Sequence, residues 1–248
     1  MITSVKNEKV KEWRKLKQKK ERDQKGQFLI EGFHLIEEAH NSEWEIVEVI
    51  YEEDKVDIGE LAQYEHFGVS DNVMTAITDT KTPQGIVAVV EKKMMTSHVE
   101  KRALLIDRVQ DPGNVGTMIR TADAAGFDTV MLGRGTVDLY NEKVIRSTQG
   151  SLFHLNIVEV DLAEEMEHLK AEGITVWSTG LEQATGYHEL AVPEKVAIIV
   201  GNEGSGVAKE LMAKADQNVL IPIYGQAESL NVSIAAAILM YHVGGKRA

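Results

Sequence analysis

From Ala103 onward the chain repeats one local pattern: a short apolar run without alternation, a polar turn, then a helical period. The runs are ALLID (103–107), TVMLG (129–133), LNIVEV (155–160), TVWST (175–179), VAIIV (196–200) and NVLIPI (218–223). Strands covered on both faces read this way, and parallel neighbours need a crossover, usually a helix. The spacing predicts helices over 114–126, 141–147, 162–172, 205–215 and from Asn231. The fold class that follows is α/β, a parallel sheet with helices on both faces. Such sheets bind ligands beyond the carboxyl ends of their strands.

The first 95 residues read differently. Residues 5–22 predict one basic helix whose narrow apolar stripe is Val10, Trp13 and Leu16. FLIEGFHLIEEA (28–39) predicts a strand, a turn at Gly32 and a helix, and IVEVIY (46–51) a strand. A short helix at 58–63, a strand at 67–70, a helix from Asp71, a turn at Thr82–Gly85 and a buried strand GIVAVVE complete a small α/β domain. KKMMTSHVEK (92–101) reads as a linker. The expected division is 1–95 and 96–248.

Charge is unevenly spread. Residues 1–25 hold ten Lys/Arg and four Asp/Glu, a net of +6, so a total of −12 leaves −18 for the remainder. A basic segment on an acidic body points to an RNA-facing element. Cysteine is absent, which excludes disulfides and thiolate metal sites. No apolar run reaches the ~18 residues of a membrane helix, and the N-terminus is too charged for a signal peptide. These features lead us to expect a cytoplasmic protein with no membrane segment and no metal.

Three strand–loop–helix segments carry the chemistry. In DPGNVGTMIRTADAAGF (111–127), Val115, Met118, Ile119 and Ala122 form a buried face, Asn114 is placed to cap the helix, and Arg120 points about 150° from that face. In IIVGNEGSGV (198–207) the glycines permit a sharp turn and close backbone approach beside the Glu203 carboxylate. The segment is neither a Walker A loop nor G-x-G-x-x-G. In IPIYGQAESLNVSIAAAILMYH (221–242), Ser229 or Asn231 caps the last helix around buried Leu230.

In this order the three segments closely resemble the signature motifs of the SpoU/TrmH-type RNA ribose methyltransferases of the SPOUT superfamily. FLIEG and TPQGIVAVV are similar to the ribosomal-protein-like substrate-binding domain that precedes many of these catalytic domains. The resemblance implies a deep trefoil knot, a homodimer and S-adenosylmethionine as methyl donor. It implies Gly180, Gly201, Ile221 and Leu230 as cofactor contacts, and Arg120, Asn114, Glu203, Ser229 and Asn231 as the catalytic set. Arginine stays protonated in proteins, so Arg120 is expected to position a phosphate and stabilise a forming alkoxide rather than act as base.

The expected activity is methylation of a ribose 2′-hydroxyl in RNA, with rRNA favoured over tRNA by the accessory domain. Alternatives are a tRNA ribose methyltransferase, a base methyltransferase, a non-catalytic RNA-binding or ribosome-assembly protein on the same fold, and a dinucleotide-dependent oxidoreductase. The last lacks its fingerprint. A pure binder would not need polar groups in all three loops.

Overall fold

The computed structural model describes residues 1–244. It divides into two compact units, Met1–Met94 with Asp138–Phe153, and Met95–Val137 with His154 onward.

The first unit contains α1 (Glu8–Lys15), α2 (Lys19–Lys25), β1 (Gln27–Glu31), α3 (Phe33–His40), β2 (Ile46–Glu52), β3 (Glu65–Val69), α4 (Asp71–Ile77) and β4 (Ile86–Glu91). Its sheet order is β1-β4-β2-β3. β4 is antiparallel to both neighbours, while β2 and β3 are parallel. The segment at 58–63 is a 3-10 turn, Gly59–Gln63. Gly85 lies in the left-handed region, at a φ of 80°, and closes the turn before β4.

The single basic helix expected over residues 5–22 is two helices. Val10, Trp13 and Leu16 are all buried in one core with Ile50, Val73, Met74 and Val89. The break falls after α1, at Leu16–Gln18, and frees carbonyls that need donors. Arg22, itself buried, supplies them: its Nη1 donates to the carbonyls of Leu16 at 3.0 Å and Lys17 at 2.7 Å. A local periodicity argument could not find this, because the partner comes from the next helix. The segment is also no loose arm. Trp13 Nε1 donates to Glu48 at 2.6 Å, Lys9 pairs with the same carboxylate, and Lys17 Nζ donates to the Thr78 carbonyl at 2.7 Å.

The second unit begins with β5 (Arg102–Asp107), α5 (Pro112–Ala124) and β6 (Thr129–Gly133). The chain then contributes α6 (Glu142–Thr148) to the first unit. It returns through β7 (Asn156–Val160), α7 (Leu162–Ala171), β8 (Thr175–Thr179), β9 (Thr185–Gly186), β10 (Val196–Gly201), α8 (Lys209–Lys214), β11 (Gln217–Leu220) and α9 (Val232–Gly244). The seven strands run in the order β7-β6-β5-β10-β8-β11-β9, and every pair is parallel.

Alternate strand residues serve opposite faces. Ala103, Leu105, Met131, Val176, Ala197 and Ile199 pack with Leu162, Met166 and Leu169 of α7 and Leu211 of α8. Leu104, Ile106, Ile198 and Val200 lie between them in sequence and are equally buried. α9 packs on β10 and α5 packs on α9. The helix expected over 205–215 begins only at Lys209. Gly206 has a φ of 66°, which no helix accommodates, so residues 205–208 belong to the loop. β9 is a two-residue edge strand that carries no apolar run and so left no signal. Among the described residues no helix is long and apolar enough to cross a membrane.

Candidate active site

The three loops meet at the carboxyl ends of β5, β10 and β11. α5 opens at Asp111, whose side chain accepts the Asn114 N–H at 2.8 Å, with Pro112 just inside the helix. This corrects the expectation that Asn114 is the cap. Asp followed by Pro is the stronger start signal, since Pro has no N–H to satisfy. Asn114, two residues further in, has its side-chain amide released for tertiary bonding.

That amide joins the three loops. Asn114 Nδ2 donates to Glu203 Oε1 at 3.1 Å, and Asn114 Oδ1 accepts from Asn231 Nδ2 at 3.0 Å. Asn231 Oδ1 is also the cap of α9, accepting from the Ser233 N–H at 2.9 Å and the Ser233 hydroxyl at 2.6 Å. Of the two capping candidates, Ser229 and Asn231, the structure uses Asn231. One amide thus ends a helix with its oxygen and holds the first loop with its nitrogen.

Glu203 also accepts backbone N–H groups from Asp111 at 3.3 Å and Gln110 at 3.5 Å. Burial raises its carboxyl. Its own backbone N–H, the Asn114 amide and the Asp111 and Gln110 N–H groups outweigh that and hold it below the ordinary carboxylate value. Glu203 is therefore an anion near neutral pH, a fixed acceptor that aligns loops rather than a proton donor.

A cavity of about 610 Å³ opens beside this network. Its walls include Gly180, Gly201, Glu203, Ser229, Leu230 and Asn231, with the whole turn from Asn202 to Val207. Gly201 is a site of close approach: a Cβ there would lie 2.1 Å from the Val207 nitrogen, a backbone atom that cannot yield. Gly180 is less constrained, because its nearest neighbour, at 2.4 Å, is the mobile end of Met212. Ile221 and Arg120 do not line the cavity. Arg120 is exposed on α5, about 9 Å along the axis from Asn114. His242 packs against Trp177 and Tyr187, as a ring within the α9 core contact.

Sequence reasoning missed three residues that shape these loops. Asn202 Oδ1 accepts the N–H groups of Gly204 at 3.0 Å and Ser205 at 3.1 Å, and its Nδ2 donates to the Arg108 carbonyl at 2.9 Å. An Asn directly before a glycine cluster is an Asx-turn signal. Asp107 is buried and accepts the Ala208 N–H at 2.8 Å. An acid ending an apolar strand is its only trace in sequence. Arg108, its partner, left none.

Residues 101–241 match the SpoU rRNA Methylase family, and residues 7–88 match the MRM3-like substrate binding domain. The chain belongs to the SpoU family. It is 49% identical to the 23S rRNA (guanosine(2553)-2′-O)-methyltransferase RlmP of Bacillus subtilis, across 98% of this chain and 99% of that protein. Among solved structures it is similar to an AdoMet-bound rRNA methyltransferase from Sinorhizobium meliloti, with 32% identity and a TM-score of 0.88 over 98% of this chain and 96% of the other. It is also similar to the SpoU methyltransferase AviRb of Streptomyces viridochromogenes in complex with AdoMet, with 25% identity and a TM-score of 0.87 over 97% and 98%. The seven-stranded parallel α/β architecture is that of these SpoU enzymes.

Proposed function

We propose that this SpoU-family chain transfers the methyl group of S-adenosylmethionine to a ribose 2′-hydroxyl of ribosomal RNA. One observation carries the reading: a hydrogen-bonded line from Glu203 through Asn114 to Asn231 ties three loops together, and its two ends, Glu203 and Asn231, line a cavity at the carboxyl end of the sheet. A chain that only bound RNA would have no use for a polar network at that place.

The cavity fits the methyl donor. Its volume falls within the ~300–1,000 Å³ of small-molecule sites. Leu181, Val207, Leu230 and Ala235 offer apolar wall, and Gly201 brings backbone close to whatever is bound. Gly180, Gly201 and Leu230 would hold the donor, with Ile221 fixing the backbone that follows β11. When bound, the donor supplies an electrophilic methyl on a sulfonium.

The chain must align the ribose oxygen and stabilise the charge that develops on it. Arg120 is the residue for that charge and for an adjoining phosphate, since it is cationic and exposed. Asn114, Ser229 and Asn231 orient the ribose or hold the loops, and Glu203 locks Asn114. Arg120 lies outside the cavity of its own chain, and α9 presents Ile234 and Tyr241 with about half their surface exposed. Both facts support a homodimer in which α9 is covered by a second copy and Arg120 serves a shared site. The loop set supports the trefoil knot, an arrangement that the general scarcity of knots would never suggest. Residues 1–95 are assigned to substrate binding and 96–248 to catalysis, in a cytoplasmic protein.

The test is transfer of labelled methyl from S-adenosylmethionine to total RNA, then mapping of the modified nucleotide. A 2′-O-methyl group on rRNA is expected. Label on tRNA or on a base would overturn the substrate assignment, and no label on any RNA would overturn the activity.

A further inference from the structure

Arg108 follows β5 with a φ of 55°, in the left-handed region. Bulky residues avoid that region because Cβ crowds the following carbonyl. Here the unusual conformation brings two groups of one residue to the same loop. The backbone carbonyl of Arg108 accepts from Asn202 Nδ2 at 2.9 Å, at the loop's start. Its guanidinium grips Asp107 with two bonds, Nε to Oδ1 at 2.9 Å and Nη2 to Oδ2 at 3.0 Å. Asp107 in turn accepts the Ala208 N–H at 2.8 Å, at the loop's end, and Arg108 Nη2 reaches the Gly206 carbonyl at 3.4 Å.

The stretch between these anchors, Asn202–Val207, is cavity wall and carries Glu203. On its other side the Arg108 side chain is flanked by Gly135, where a Cβ would stand 3.3 Å from Arg108 Cγ. The stem of the side chain therefore passes Gly135 while its guanidinium faces the 202–208 loop, with its charge already matched by Asp107.

We infer that Arg108 is a positioning residue for methyl transfer: it clamps both ends of the 202–208 loop so that the loop forms the donor cavity and presents Glu203 to Asn114. In this left-handed conformation one residue offers its carbonyl to Asn202 and its fork to Asp107. The inference rests on the methyltransferase reading given above.

The test compares wild type with Arg108→Gly, Arg108→Asn and Arg108→Lys. Glycine and asparagine accept the left-handed φ and keep the carbonyl but delete the guanidinium, while lysine keeps the charge without the two-pronged fork. Melting temperature, calorimetric affinity for S-adenosylmethionine, and kcat and KM for RNA are measured. Arg108→Gly relieves the left-handed φ but leaves the buried Asp107 carboxylate without its two-pronged partner, so it is expected to fold and to melt below wild type. It should bind the donor about tenfold more weakly, as befits loss of a charge-assisted bond pair. Its KM for RNA at saturating donor should stay within about twofold of wild type, because the lost contacts shape the donor cavity. Lysine should recover part of the affinity. Wild-type donor affinity and turnover in Arg108→Gly would overturn the inference, as would failure of both the glycine and asparagine variants to fold. Wild type that binds no donor would instead sink the methyltransferase reading, and this inference with it.

Discussion

The side-chain amide of Asn231 donates to the side-chain oxygen of Asn114 at 3.0 Å, across 117 positions of sequence. Asn114 in turn donates to Glu203, so a single side chain joins loops that follow three different strands. Each amide is used at both ends, which leaves neither Asn free to rotate without breaking two bonds. The arrangement places a polar line, held at both ends, beside the cavity.

Asn114→Ala should cost about 2 kcal/mol of transition-state stabilisation, roughly thirtyfold in kcat/KM, by removing a bond to a charged group and one to Asn231. Asn231→Ala should cost somewhat more, because it also deletes the α9 cap. The informative measurement is the double variant. Groups in one network are not additive, so the double should be little worse than Asn231→Ala alone. Simple addition of the two losses would show that the network is not a working unit.

Arg120→Ala should reduce turnover on the cognate RNA by roughly a hundredfold or more, about 3 kcal/mol, if it stabilises developing charge. The side chain is exposed on α5, so its removal leaves no core cavity. Melting temperature, donor affinity and sedimentation should match wild type. Near-normal turnover would remove Arg120 from the catalytic set.

Stability of the first unit should fall as pH rises from about 5 to 8. Burial, a hydrogen bond with Asp79 and repulsion from the Asp79 charge push the Glu142 carboxyl up to about 7 from 4.5. The folded chain therefore keeps a proton that the unfolded chain has released across that window. The associated stability is fully present below about 4.5 and lost as pH passes through 7. The partner Asp79 is shifted downward and stays ionised there. Urea midpoints followed through Trp13 and Trp44 should show this slope in wild type and a flatter one in Glu142→Gln. Parallel slopes would refute the shared proton.

The basic N-terminal helices should supply RNA affinity through their exposed cations. Lys17 and Lys19 are engaged with Asp79, Asp23 and Asp138, so they are poorer candidates than a sequence reading implies. Arg14, Lys15 and Lys20 are exposed, and the first two border a groove of about 460 Å³ with Lys11, Gln18 and Ala76. Changing those three to Gln should flatten the log–log salt dependence of RNA binding by ~0.7 per lost phosphate contact. Donor affinity should not change. An unaltered slope would leave these residues as a solvated face.

Apolar runs without alternation predicted the parallel α/β class, and the central strands β5, β6, β8 and β10 fall where those runs lie, because burial on both faces is written locally into their residues. The three loop segments were legible for the same reason: glycines, prolines and capping residues act within a few positions of themselves. The sequence even offered Asn231 as a cap. Elsewhere local signals were ambiguous, and distant partners decided. The cap of α5 went to Asp111 on the local Asp–Pro signal, but the bond that Asn114 then made, to Glu203 89 positions away, was set by a distant loop. The basic segment broke into two helices because Arg22 could satisfy the carbonyls released at Leu16 and Lys17. Residues 138–153 left the strand–helix repeat to join the first unit, and Arg108 adopted a backbone conformation that no sequence rule assigns to arginine. Periodicity reports which side of an element is buried. Which polar atom meets which depends on loops brought together by the sheet, and only the tertiary structure contains that information.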